Sequence, residues 1–425
     1  MTSASPADLP TDPTPRRGGL WHHADFRRLW IGDTASQFGT MITMLALPLL
    51  AVTGLHASPF EAGLLAACET IAFLIVGLPA GAWVDRMRHR GVMIVNDLIR
   101  AAALSSLPVA AAMDALSMGQ LYLVALVVGS CTVFFDVAYQ SYLPRLVGRE
   151  HLVEGNAKLQ ASQSVAQIAG PGVGGLLVQA LTAPFALLLN AVTLLWSAGW
   201  LARIQHREVV PEPVPGTNLR TQIAEGLRFV VGHRLLRSIV LTTALSNLFG
   251  AMSSAVLLIL LARDLGLAAG TIGLLMSAGA VGGLLGALGA RRIAGRLGQG
   301  PTIWIGALVL STFAFVPPFL QRGWMLWAYA ASNVLCFAAT VVYNITQVSF
   351  RQALCPEHLL GRMNATIRFV VWGILPIGGL LGGAMGSWLG VRDALLVAAV
   401  GGMVAFLPAY LSPLRRMREL PTEPG

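Results

Sequence analysis

Charge is what this chain has least of. Only 12% of its 425 residues are Asp, Glu, Lys or Arg, where a soluble domain carries about 25%, so a soluble globular fold is excluded. Cysteine is also scarce. Cys68, Cys131, Cys336 and Cys355 are scattered, three of them inside apolar runs, and no CxxC pair marks a metal or redox site. They read as small core hydrophobes. No His/Asp/Glu or Ser/His cluster lies near an apolar run's edge, which argues against a membrane enzyme and against any bound metal or cofactor. The first twenty residues, MTSASPADLPTDPTPRRGGL, lack an apolar stretch and read as a disordered cytoplasmic tail instead of a cleaved leader.

Apolar sequence fills the rest. Hydrophobic residues make up 55% of the chain and the mean hydropathy is +0.67, in runs long enough for membrane helices, which need about 20 residues each. Breakers between the runs place twelve spans, at 29–53, 61–84, 92–112, 120–142, 160–181, 184–203, 237–262, 270–292, 301–320, 324–347, 367–389 and 392–411. Twelve spans take roughly 240 residues and leave no room for a catalytic domain outside the bilayer. The expected fold is an all-α polytopic membrane protein with two pseudo-symmetric six-helix halves.

The net charge of +9 does not indicate nucleic acid, because the arginines sit in alternate gaps between spans, where they decide orientation. Basic gaps hold Arg27 and Arg28, Arg86 to Arg90, Arg145 to Lys158, Arg203 to Arg237, Arg291 to Arg296, Arg351 to Arg368, and Arg415 to Arg418. The intervening gaps hold only Arg263, Arg322 and Arg392. The positive-inside rule then puts both termini and the middle loop in the cytoplasm and requires an even number of spans. The organisation expected is a tail at 1–26, a first half at 27–203, a linker at 204–236, a second half at 237–412 and a tail at 413–425. Within the linker, TQIAEGLRFVVGHRLLR reads as an amphipathic surface helix, with Ile223, Leu227 and Val230 on one side.

The halves repeat. Ser36-Gln37-Phe38 aligns with Ser246-Asn247-Leu248, and Gly63-Leu64-Leu65 with Gly273-Leu274-Leu275, both at an offset of 210. Arg86 aligns with Arg296 at the same offset, and Glu150-His151-Leu152 aligns with Glu357-His358-Leu359 at 207. A register held this long implies two parallel halves with a pathway between them that opens to alternate sides.

Two motifs carry chemistry. GAWVDRMRHR, with Gly81, Asp85, Arg86 and Arg90, resembles the loop signature G-x-x-x-D-R-x-x-R/K-R/K of the major facilitator superfamily, departing from it at Arg88 and His89. In the fifth span, Gly170, Pro171, Gly174 and Gly175 resemble the G-P-x-x-G-G motif of antiporters in that superfamily, with Ala166 where a glycine usually precedes it. The stretch FFDVAYQSYLPRLVGREHLVEGNA resembles the branch containing macrolide and enterobactin exporters. The resemblance covers nearly the whole chain and implies alternating access, with Gly81, Asp85, Arg86, Arg90 and Asp136 as gating residues and with Arg86 or Arg90 as the partner of Asp136.

Ionisable groups inside a span cost about 2.5–3.5 kcal/mol each on insertion scales, so each needs a partner or a purpose. Asp33, Glu69, Asp97, Arg100 and Asp136 all lie in the first half. Asp97 and Arg100 have the i, i+3 spacing of an ion pair. Glu69, flanked by apolar residues in LLAACETIAFLIVG, is the first candidate for proton coupling. Asp33 is the second, heading a stripe with Ser36, Gln37 and Thr40 that fits a cavity wall. Gln37, Tyr139, Gln140, Asn247, Asn333 and Asn344 are the substrate-cavity candidates. The function expected is export of a small amphipathic compound (a drug, siderophore or secondary metabolite) in exchange for protons, by a monomer in the inner membrane. Import by the same fold, or a non-transporting scaffold or receptor, are the alternatives.

Overall fold

The computed structural model describes residues 20–84, 86–148, 151–206, 208, 219–356 and 359–418. Among these there is no strand. The helices are α1 (Ala24–Leu49), α2 (Pro59–Ile75), α3 (Gly77–Val84), α4 (His89–Ala112), α5 (Met118–Val147), α6 (Leu152–Leu181) and α7 (Ala183–Ala202). After them come α8 (Leu219–Gly232), α9 (Arg234–Leu258), α10 (Ala269–Leu297), α11 (Gln299–Phe313), α12 (Met325–Leu354), α13 (Leu360–Gly373), α14 (Leu375–Leu389) and α15 (Val391–Gly402).

Among the described residues, eleven helical stretches are each long and apolar enough to cross a bilayer. The remaining span of the twelve is the α2–α3 pair, which breaks at Val76 and so offers no single long helix. Pro79 lacks the N–H that would bond the Ile75 carbonyl, which explains the break. The α13–α14 span has a matching joint at Ile374, just ahead of Pro376. The joints face one another: Phe73 and Trp372 pack ring to ring at 4.8 Å, and Gly373 abuts Leu74. Several helices run past the apolar runs. Thus α5 continues to Val147, α6 starts at Leu152 and α12 ends at Leu354, because an α-helix does not stop where the bilayer does.

Local sequence sets the helix ends. Ser58 Oγ accepts from the Glu61 N–H at 3.3 Å while Glu61 Oε2 accepts from the Ser58 N–H at 2.8 Å, a reciprocal cap ahead of Pro59. The repeat is visible in the backbone as well: α1 and α9 both run into a π-helical turn, Leu50–Gly54 and Ile259–Asp264.

Helix packing forms two bundles. In the first, α1 packs on α6 and α7, α4 on α5 and α7, and α2 on α5; in the second, α9 packs on α14 and α15, and α12 on α10 and α11. The bundles meet along two seams, α2 with α14 and α6 with α10. Leu47, Leu104, Leu121 and Leu187 fill one core, and Ile239, Ile303, Phe350 and Met363 fill another. Large apolar side chains such as Leu123, Phe185, Leu195, Leu284 and Leu288 are exposed on the flanks, the surface that a lipid environment covers. Trp324, Trp327 and Trp388 are the most exposed tryptophans and sit at span ends, as interfacial anchors do. In α8, Val230 is buried against the second bundle while Leu227, three residues earlier, is exposed.

Candidate transport pathway

The seams are built from glycine. A Cβ added at Gly63 would lie 2.5 Å from the Gly379 carbonyl oxygen, and one at Gly383 would lie 2.9 Å from Gly63 Cα. In the other seam a Cβ at Gly175 would lie 2.4 Å from the Ala269 oxygen, and one at Gly273 would lie 2.2 Å from the Pro171 oxygen. Backbones approach this closely only where side chains are absent. Hydrogen bonds tie the same ends: Gly172 N–H to Ser277 Oγ at 2.9 Å, Gly270 N–H to Gln179 Oε1 at 3.1 Å, Phe60 N–H to Ser387 Oγ at 3.0 Å, and Arg263 to the Ala57 carbonyl at 3.0 Å. All lie toward the side away from the chain termini, where the two bundles are fastened together. The antiporter-like motif thus has two faces, since Gly170 and Gly174 pack on Met41 and Ile42 of α1 while Pro171 and Gly175 form the seam.

Acidic groups gather inside the first bundle. Asp33 is 5% exposed; its Oδ1 accepts from Gln37 Nε2 at 3.4 Å, and the Tyr139 hydroxyl lies beside it. Asp136 sits one turn from Tyr139 and Gln140 on α5. Asp97 and Arg100 form the ion pair their spacing calls for. Arg100 also reaches Thr132 Oγ1 at 3.4 Å and lies over the Phe135 ring at 4.7 Å. Its charge is already engaged, and among the described residues Asp33 and Asp136 have no bonded cation. Glu69 stands apart and makes no hydrogen bond or ion pair among the described residues; Gly129 packs against its backbone carbonyl.

The expected partner of Asp136 needs correction. Arg90 does not reach Asp136: its guanidinium donates to the Ile204 carbonyl, and its backbone N–H donates to Glu208 Oε2 at 3.2 Å. The cations within electrostatic reach of Asp136 are Arg100 and, from the other bundle, Arg368. Arg86 is exposed, Gly81 lies in α3, and Asp85 lies outside the described residues. Linker residues can outcompete a carboxylate for Arg90 because α7 ends next to the start of α4, a proximity that no spacing in the sequence reveals.

The second bundle supplies amides and hydroxyls. Asn247 Nδ2 donates to the Val371 carbonyl at 2.9 Å and Asn333 Nδ2 to the Leu275 carbonyl at 3.4 Å, so both side chains tie helices together. Each retains a side-chain oxygen for another partner. Tyr343 pairs with Thr243 at 2.6 Å, Gln347 is buried, and Gln140 and Asn344 are exposed. Sequence reading missed Gly379, Gly383, Glu208 and Arg368. The glycines had a signal: Gly170, Gly174 and Gly175 recur as Gly378, Gly382 and Gly383 at an offset of 208.

Two helical bundles joined by glycine seams, with acids buried between membrane-crossing helices, define a multi-pass membrane transporter of the major facilitator superfamily. Residues 20–424 match the family model described as a transmembrane secretion effector, and the chain belongs to that family. It is 26% identical over 419 residues to the multidrug efflux pump Tap of Mycolicibacterium fortuitum, covering 91% of this chain and 95% of that one. It is 25% identical over 421 residues to the enterobactin exporter EntS of Salmonella typhi, covering 94% and 95%. Among solved structures, a bacterial homologue of the iron transporter ferroportin in an inward-facing state superimposes with a TM-score of 0.75 at 15% identity, covering 91% of this chain and 98% of that one. The nucleoside transporter NupG gives 0.71 at 13%, covering 91% and 97%. These likenesses concern the fold. As a member of a transporter family the protein is not an enzyme.

Proposed function

We propose that the protein exports a small amphipathic organic compound from the cytoplasm by alternating access, in exchange for protons, as a monomer in the inner membrane. Both termini and the linker face the cytoplasm, and the halves 27–203 and 237–412 move against each other. One observation carries the coupling: Asp33 and Asp136, on packed helices of one bundle and flanking Tyr139, have no bonded cation among the described residues, an arrangement that protons or a cationic ligand would relieve. Glu69, equally uncompensated, is a second proton site. Export, and a drug, siderophore or secondary metabolite as cargo, are supported by the efflux pumps among the relatives; the fold alone is shared with other kinds of transporter.

Inside-out vesicles test this with ethidium as the probe. Wild-type vesicles with an acidic lumen accumulate it, and dissipating the proton gradient releases it. Asp33→Asn and Glu69→Gln cannot titrate, so uphill accumulation is lost while downhill exchange persists. Normal accumulation by both variants with an unchanged pH profile would rule out coupling through these acids.

A further inference from the structure

The linker between the bundles is anchored at both ends by charged contacts. At its start, Asp25 of α1 accepts the N–H groups of Gln205 and His206 at 3.1 and 3.0 Å. Glu208 then turns inward until its side chain is 4% exposed. One carboxylate oxygen accepts the Arg90 N–H in the first turn of α4 at 3.2 Å, and the other lies 3.4 Å from His89 Nδ1. Arg145 of α5 approaches the same imidazole nitrogen at 3.2 Å, and Tyr142 of α5 lies nearby. A carboxylate here occupies the place where a helix leaves its first N–H groups unbonded and its dipole is positive. At the far end of the linker, Glu225 of α8 pairs with Arg362 of α13, on the same helix as Arg368. The linker therefore touches the signature loop of one bundle at its start and, near its end, the helix of the other bundle that carries Arg368.

We propose that Glu208 is a positioning residue of the transport cycle, holding Arg90 and the start of α4 to the linker in the conformation seen here and letting go when the cytoplasmic side closes. This rests on the alternating-access reading. Placement is decisive. The Arg90 guanidinium donates to the Ile204 carbonyl and has N–H donors to spare. That bond nevertheless holds the side chain on the linker side of the loop, so bridging to the opposite half, the role that the loop signature implies for it, requires the side chain to move. Two partners competing for one arginine make a two-state element. The linker's carboxylate decides between them, since it fixes the backbone that carries the arginine. Glu208 touches no substrate in this scheme; it biases which state is populated.

The test uses the full chain in lipid nanodiscs, with spin labels on cysteines placed at Asn156 and Gln352, exposed cytoplasmic-side positions of α6 and α12. Two distance populations are expected, open and closed. Glu208→Gln keeps the shape and an acceptor oxygen but removes the charge, and should shift their ratio toward the closed population by about tenfold, the size of effect that separates a hydrogen bond to a charged group from one to a neutral group. Glu208→Asp should lie between it and wild type, and Glu154→Gln, an acid outside this network, should leave the ratio unchanged. Unaltered populations in Glu208→Gln would overturn the proposal, even with a lowered melting temperature, because that pattern marks a merely structural acid. A single population in wild type under all proton and ethidium conditions would overturn the alternating-access reading itself, and this proposal with it.

Discussion

Adding one methyl group at Gly273 should disable the protein without unfolding it. The alanine Cβ would lie 2.2 Å from the Pro171 oxygen and 3.0 Å from Gly175 Cα, whereas carbon–oxygen contacts settle at about 3.3 Å or more. The α6–α10 seam must therefore widen by about 1 Å, and neither obstructing atom belongs to a side chain that could rotate away. Overpacking of this kind costs about 1–3 kcal/mol. Since the cost falls only on the state in which the seam is closed, the population of that state should drop by roughly 5- to 150-fold. Gly63→Ala imposes the same penalty on the other seam, with contacts of 2.5 Å to the Gly379 oxygen and 2.7 Å to Gly383 Cα, and the two effects should be close to additive because the seams share no residue. Gly250→Ala is the control: its Cβ meets nothing within 4 Å, so it gains helix propensity without changing the seam. Spin labels at Asp114 and Gln321 on the outer loops should report longer distances in Gly273→Ala and Gly63→Ala but not in Gly250→Ala, together with slower ethidium export. Wild-type distances and export in Gly273→Ala would refute the reasoning that these backbones set the closed state.

Asp97→Asn leaves Arg100 buried, at 6% exposure, without its counter-charge, and should lower stability by about 3–5 kcal/mol; thermal unfolding in detergent measures it, and an unchanged melting point would show that the pair is dispensable. The double variant Asp97→Leu with Arg100→Leu should recover most of the loss. In a background with the four cysteines replaced, single cysteines at Thr217 and Ser58 should react with impermeant reagents from the cytoplasmic and outer sides respectively, and reversed labelling would invert the orientation. Arg368→Gln should weaken closure of the cytoplasmic side and slow export while ethidium binding persists; if binding is lost instead, Arg368 contacts the cargo.

The spans were legible because each is a long uninterrupted apolar run, and the repeat because register survives in Gly63 and Gly273. The Asp97–Arg100 pair was legible from its spacing on a single helix. What could not be read was who competes for Arg90. That outcome depends on Ile204 and Glu208, more than a hundred residues away in sequence, and on where α7 ends relative to α4. The break at Val76 was hidden for a different reason: Pro79 announces a perturbed helix, but hydropathy runs on through it to Val84. Asn247 and Asn333 read as cavity groups because an amide within a span suggests solvent, yet their N–H groups bond carbonyls of adjacent helices, a use that residue type alone does not distinguish.

The paired joints at Val76 and Ile374 change what a rocking motion has to accomplish. Two straight rods pinned together at one end can separate at the other only by pivoting about the pin, which drags whole bundles through the lipid. Two rods jointed at the same depth, touching there through Phe73 and Trp372, behave like the arms of tweezers. The glycine-bonded portions α2 and α14 can stay clasped while α3 and α13 swing apart below them. The loop carrying Arg86 then moves on a short arm of eight residues, Gly77–Val84, so a small bend mid-membrane becomes a lateral displacement at the cytoplasmic surface, and the cost of opening is concentrated at two helix breaks where backbone hydrogen bonds are already missing.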